Sequence, residues 1–220
     1  MEQAGRGRSW DMGNPNLQPE SSTNYELGFA WDTPDNVNFG LMAYHTRFKD
    51  KIDKTYVCET PNGAPPSCTY NGETRYSIQQ YTNVDSATLQ GIEATFGMPL
   101  GDVRLTTNYT YSDSKITSGE DQGQALNNTP RHMFNIGLNW NPNAKLGVWG
   151  KLKFKSNTID GGDDRIPSYT LIDVGATYQF NQNLSGFVGV YNVLDKQVGS
   201  ELYGKTLDGR RYYAGLTMGF

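Results

Sequence analysis

The chain has 220 residues, with 19 Lys and Arg against 23 Asp and Glu, a net charge of −4 and 36% hydrophobic residues. This balance supplies no basic face of the kind a nucleic-acid partner demands. The sequence contains no apolar run of the roughly 18 residues that a membrane-spanning helix needs, so any bilayer crossing must be made by strands.

In chain order, nine segments alternate with period 2, the mark of a strand with two different faces. Thr23–Asp32 carries Tyr25, Leu27, Phe29 and Trp31 on one face. Val37–Phe48 carries Val37, Phe39, Leu41 and Ala43, then blurs at His45 and Arg47. Thr88–Met98 presents Ile92, Ala94, Phe96 and Met98, and Val103–Tyr111 presents Val103, Leu105, Tyr109 and Tyr111. His132–Trp140 and Lys145–Lys155 continue the pattern, the latter with Lys145, Lys151, Lys153 and Lys155 around Trp149 on its polar side. Tyr169–Phe180, Leu184–Asn192 and Arg211–Phe220 complete the set.

The connections alternate in length. Thr33–Asn36, Pro99–Asp102, Asn141–Ala144 and Asn181–Asn183 are short and built from turn-forming Asn, Asp, Pro and Gly. Lys49–Ala87, Ser112–Arg131, Ser156–Ser168 and Val193–Arg210 are long and polar. Tight turns at one end and elaborate loops at the other, with aromatics at strand ends, predict an all-β, antiparallel up-and-down transmembrane β-barrel. The competing readings are a soluble β-sandwich or lipocalin-like binding barrel, whose apolar face would point inward, and a small outer-membrane β-barrel enzyme. Nine is an odd number, whereas single-chain bacterial barrels have an even one. Either a further strand lies within Lys51–Val57 or Thr74–Val84, or the chain is part of a larger barrel.

Four stretches then carry a resemblance. They are GNPNLQPESSTNYELGF (Gly13–Phe29), YTNVDSATLQGIEA (Tyr81–Ala94), NVLDK (Asn192–Lys196) and GRRYYAGLTMGF (Gly209–Phe220). In this order they resemble the C-terminal part of the TonB-dependent outer-membrane receptors, most of all the catecholate siderophore receptors. TPRHMFN (Thr129–Asn135) resembles a Pro-containing strand entry of the same proteins. The resemblance implies that residues 23–220 supply about the last nine strands of a 22-stranded barrel with a plugged lumen, and that 1–22 is a remnant of an extracellular loop. The signal peptide, TonB box, plug and earlier strands would lie outside the chain, consistent with MEQAGRGRSWDMGNPN having no apolar signal core.

The implied function is uptake of a ferric siderophore, with no cofactor and no catalysis. The implied partners are the TonB–ExbB–ExbD complex acting through the plug, the barrel-assembly machinery, and outer-membrane lipid and lipopolysaccharide. Phe220 would be the assembly signal. Lys49, Lys51, Lys54 and Tyr56, with Arg75 and Tyr76 in the same long connection, are the candidate ligand contacts. Cationic and aromatic groups suit an anionic catecholate complex.

The remaining chemistry is sparse. Cys58 and Cys68 flank ETPNGAPPS and predict a disulfide stapling a loop in an oxidising compartment. DGGDDR (Asp160–Arg165) bunches carboxylates without the spacing of a calcium loop, so no metal site is predicted. Of the two histidines, His45 and His132, the second lies at a strand end and reads as a rim residue. Gly209–Arg211 places adjacent arginines at the outer end of the last strand, where they would attract lipopolysaccharide phosphates or ligand.

Overall fold

A computed structural model describes residues 9–61, 63–119, 122–159, 165–199, 203 and 206–219. Its strands are β1 (Ser9–Met12), β2 (Ser21–Asp32), β3 (Asn38–Glu59), β4 (Cys68–Tyr70), β5 (Glu73–Arg75), β6 (Ser77–Leu100) and β7 (Val103–Ile116). They continue with β8 (His132–Trp140), β9 (Leu146–Lys155), β10 (Thr158–Ile159), β11 (Arg165–Ile166), β12 (Tyr169–Asn181), β13 (Leu184–Tyr191) and β14 (Arg211–Met218). The main sheet runs β2-β3-β6-β7-β8-β9-β12-β13-β14, and β1 pairs with β6.

The nine predicted alternating segments are the nine strands of this order, each a neighbour of the next. Neither Lys51–Val57 nor Thr74–Val84 adds a separate strand to the meander. The first lies within β3, and the second closes the small β5 and opens β6. Those strands exceed the predicted limits because Ile52, Thr55, Tyr56 and Val57, and Ile78, Tyr81, Thr82 and Val84, favour extended backbone even where alternation is lost. Asp50, with φ 53°, interrupts the β3 alternation, and aspartate tolerates that left-handed conformation.

The chain divides into two compact units. One holds Met1–Asn24, Thr46–Leu89 and Lys115–Gln124; the other holds Tyr25–His45, Gln90–Ser114 and Ala125–Phe220.

In the second unit the register keeps like faces together. Ile136 lies opposite Leu152, and Leu152 opposite Ile172. Val174 lies opposite Val190, which faces Tyr212. The apolar face is not covered: Val188 is 56% exposed and Leu216 71%, although Val188 belongs to a strand paired on both sides. A soluble sandwich would bury this face at about 25 cal/mol per Å². Here the face stays exposed across adjacent strands, which requires hydrocarbon as its solvent. Aromatic groups collect on this face where β7 meets β8. Tyr109 is hydrogen-bonded to His132 Nδ1 at 2.8 Å, and Tyr111 and Phe134 pack alongside. His132 thus sits in a rim of rings, as an amphipathic interfacial residue does.

The polar face is set by the same alternation. Its short turns are closed by Asn and Thr side chains: Asn143 Oδ1 accepts the Lys145 and Leu146 N–H groups at 2.9 and 3.0 Å, and Thr33 Oγ1 accepts the Val37 N–H at 3.1 Å. Asn36, at φ 61°, supplies the left-handed turn between β2 and β3. A small cluster of Ile166, Val198 and Tyr203, flanked by Tyr169 and Leu207, is buried within the connections.

The first unit contains the parallel pairing of β1 with β6, Ser9 opposite Ser77 through Met12 opposite Gln80. The β4–β5 hairpin sits beside it in sequence, with Asn71 (φ 49°) and Gly72 (φ 82°) making the turn. A disulfide joins Cys58 to Cys68, whose Cα atoms are 5.8 Å apart. The Thr60 N–H bonds the Tyr76 carbonyl at 2.7 Å and closes the same loop.

Candidate functional site

The first unit assembles its cationic and aromatic groups around β1. Parallel pairing brings Trp10 and Asp11 alongside Ile78 and Gln79. Lys54 Nζ donates to Asp11 Oδ2 at 2.7 Å and lies 5.2 Å from the centre of the Tyr81 ring. The Asp11 hydrogen bond and charge raise the Lys54 pKa above the ordinary lysine value, against a smaller desolvation effect. A raised lysine pKa means that the tether is fully present below the unfolded value. It is lost only as pH rises through the folded one, so neutral pH leaves it intact.

On the other side of β1, the Arg75 guanidinium lies 4.5 Å from the Trp10 ring centre, and Arg75 Nη2 donates to Glu73 Oε2 at 2.9 Å. Tyr70 meets the Trp10 ring edge-on at 6.0 Å. Trp10 Nε1 and Asp11 Oδ1 are both buried and have no hydrogen-bond partner among the described residues. One donor and one acceptor left open in a cationic, aromatic setting are groups a polar ligand can satisfy.

Of the predicted contacts, Lys54 meets Asp11 and Arg75 meets Trp10, successive residues of β1. Lys49 and Tyr56 are exposed and make no hydrogen bond, ion pair or ring contact among the described residues. Lys51 is half-buried, and Tyr76 is 40% exposed. Sequence reading missed Trp10, Asp11, Tyr70 and Tyr81. A four-residue parallel pairing carries no turn and no long alternation, so only the motif-like YTN at Tyr81 marked this neighbourhood.

The NVLDK stretch proves to be a staple. Asn192, buried at 4% exposure and φ 51°, accepts the Lys196 N–H at 2.9 Å. Its amide donates to the Lys196 and Asp208 carbonyls at 3.0 and 3.4 Å. Its own N–H bonds Asp173 Oδ1 at 2.9 Å. Asp195 Oδ1 accepts the Arg210 N–H at 2.8 Å, so Asn192 and Asp195 both hold the connection to β14 in place. Asp173→Ala is expected to leave the Asn192 N–H unpaired and to cost about 1–3 kcal/mol, measured by denaturant titration in detergent.

Lys151, Lys153 and Lys155 share the polar face, opposite Asp173, Leu171 and Tyr169 respectively. Lys153 lies 3.9 Å from Asp173 Oδ2. Arg211 pairs with Asp208 at 2.8 Å, and both side chains are exposed. The carboxylates Asp160, Asp163 and Asp164 and the terminal Phe220 fall outside the described residues.

An antiparallel meander whose apolar face meets hydrocarbon, with short turns and long polar loops in alternation, defines the class of outer-membrane β-barrel proteins. Residues 3–193 match the family described as TonB dependent receptor-like, beta-barrel. The iron-regulated outer membrane virulence protein of Vibrio cholerae is 38% identical over 222 residues, covering 94% of this chain and 32% of that protein. The crystal structure of the siderophore receptor PirA from Acinetobacter baumannii superposes with a TM-score of 0.70 at 26% identity, covering 96% of this chain and 33% of that one. A mutant ferric enterobactin receptor from Pseudomonas aeruginosa, in complex with enterobactin, has a TM-score of 0.70 at 25% identity, covering 96% and 33%.

The chain belongs to the TonB-dependent receptor β-barrel family. Its strands are those of a bacterial outer-membrane protein, and its family consists of receptors rather than enzymes. It spans about a third of the length of the curated relatives it matches.

Proposed function

We propose that this chain is the C-terminal part of a receptor that takes up a ferric siderophore of catecholate type. The observation that carries the reading is the pair of groups gathered on β1 of the first unit: Lys54 and Tyr81 at Asp11, and Arg75 and Tyr70 at Trp10, each with one buried polar atom left unpaired. A catecholate complex offers negative charge to the two cations and flat rings to the aromatics. Exposed Lys49 and Tyr56, together with Lys51 and Tyr76, extend that surface along the same connection.

In the whole receptor, residues 23–220 serve as the last nine strands of a 22-stranded plugged barrel and 1–22 belong to an outer loop. Uptake consists of binding and a gated conformational change, with TonB–ExbB–ExbD acting through the plug. It uses no cofactor of its own. Phe220 serves the barrel-assembly machinery, and Arg210 and Arg211 face lipopolysaccharide or ligand.

The test is binding of ferric enterobactin to the 220-residue chain in detergent, by equilibrium titration. Lys49→Gln with Tyr56→Ala changes two side chains without internal partners, so folding is spared. Affinity is expected to fall about tenfold, equivalent to about 1.4 kcal/mol. Unchanged affinity in this double variant and in Arg75→Gln would sink the assignment of these contacts.

A further inference from the structure

The disulfide of the first unit closes on the same hairpin that faces Trp10. Cys58 lies in β3, and Cys68 opens β4 directly opposite Arg75 of β5. Tyr70 ends β4 and meets the Trp10 ring edge-on at 6.0 Å, and the Arg75 guanidinium lies 4.5 Å from the same ring centre. Glu73, which pairs with Arg75 at 2.9 Å, belongs to the hairpin and moves with it. The hairpin has three residues in each strand and forms a sheet of its own. So short a hairpin does not hold itself in water, so its position against Trp10 is imposed from its ends.

Those ends are held unequally. After β5 the chain runs through Tyr76 straight into β6, whose Ser77 pairs with Ser9, the neighbour of Trp10. Arg75 is therefore kept near β1 by the chain itself. Before β4, residues 63–67 are irregular, and the Cys58–Cys68 bridge is the covalent tie of β4 to β3. Buried Thr60 adds a weaker clasp. Its Oγ1 accepts the Ser67 N–H at 3.0 Å and lies 3.9 Å from the Cys68 sulfur, and its N–H donates to the Tyr76 carbonyl at 2.7 Å. Cys68 is 1% exposed whereas Cys58 is half-buried, so Cys58 presents the sulfur that a reductant can reach.

We propose that the Cys58–Cys68 bridge is a redox-sensitive latch that positions Tyr70 on Trp10 and so sets the geometry of the candidate site. A thiolate of a dithiol reductant attacks the Cys58 sulfur, the S–S bond breaks, and Cys68 leaves and takes up a proton. The reductant's second thiol then displaces Cys58 from the mixed disulfide. In the net step the dithiol gives up two electrons and two protons to become a disulfide, and Cys58 and Cys68 gain them as two thiols. With β4 released, Tyr70 leaves the Trp10 ring while Arg75 stays close through Tyr76. The Thr60 clasp keeps Cys68 beside Cys58, so the latch closes again on oxidation. Cys58, Cys68 and Thr60 are thus positioning residues, and the groups they place are Tyr70 and, through its pairing with Cys68, Arg75.

The test reads the 220-residue chain in detergent through the part of its tryptophan emission that Trp10→Phe removes. Dithiothreitol is expected to shift that part to the red and open it to acrylamide quenching, with far-UV circular dichroism unchanged. Removing the reductant in air should reverse both changes. Tyr70→Ala should show the shifted emission while still oxidised and gain nothing more from dithiothreitol. Thr60→Val should respond to reduction but fail to recover. Cys58→Ser with Cys68→Ser should hold the shifted signal with or without reductant. Affinity for ferric enterobactin should fall about tenfold on reduction in the native chain and stay unchanged in Tyr70→Ala. This last arm rests on the siderophore reading: if the oxidised chain binds no ferric enterobactin, that reading fails, while the Trp10 signal still decides the latch. A Trp10 emission blind to reduction, a full response in Tyr70→Ala, or loss of the sheet signal on reduction overturns the proposal.

Discussion

Val174→Arg is expected to be among the most damaging single substitutions in this sheet, costing about 2–4 kcal/mol of folding free energy in lipid vesicles. Val174 lies near the middle of β12 on the apolar face, opposite Gly150 on one side and Val190 on the other, and is 40% exposed. A guanidinium at that depth has hydrocarbon rather than water around it, and no acidic neighbour shares its face at this register. The informative control is Thr177→Arg, three residues along on the polar face, where Gly147 and Phe187 are its cross-strand partners. There the charge meets a hydrated surface and the cost should be a few tenths of a kcal/mol. Urea titrations of both variants in vesicles would decide the matter. Equal costs would mean that the apolar face is not lipid-facing.

Removing the Cys58–Cys68 disulfide is the second large effect. The bridge closes a loop of sequence separation 10, and Cys68 is 1% exposed. The chain-entropy argument for a loop of this size gives about 2–3 kcal/mol. Cys58→Ser with Cys68→Ser adds the burden of a hydroxyl in the space the sulfur fills. The expected result is accelerated proteolysis between Cys58 and Cys68, with the β12–β14 region unaffected. Without reductant, the native chain should resist thiol labelling at both positions. Ready labelling of both would overturn the pairing.

Much of the architecture is readable along the chain because a strand between water and lipid must alternate. Tyr25, Leu27, Phe29 and Trp31 reveal a face with no knowledge of neighbours, and the turns are local chemistry of Asn, Asp, Pro and Gly. The order of nine strands follows, since each tight turn or long loop returns the chain beside its predecessor. The candidate site is less legible. Lys54 and Arg75 could be picked out as cations in a long connection, but their convergence depends on Trp10 and Asp11, more than 40 residues earlier. Asn192 and Asp195 stood out as a motif. Their role as a staple depends on Asp173, Asp208 and Arg210, which come from other parts of the chain.

By itself, then, the sequence determined the two-faced strands, their order, the turn end and the loop end, and membership of a receptor family. The strands, their order and their two ends arise from period-2 contact with two solvents and from short-range turn geometry, whereas the family was legible only through the resemblance of particular stretches such as Gly13–Phe29 and Tyr81–Ala94. The tertiary structure alone decided the parallel seat of β1, the meeting of Lys54 with Asp11 and of Arg75 with Trp10, and the seating of the Trp149, Tyr213 and Phe187 rings over Gly175, Gly189 and Gly215. Each of these depends on register between segments distant in sequence. A glycine and the ring that rests on it leave no mark on the chain until the strands are paired.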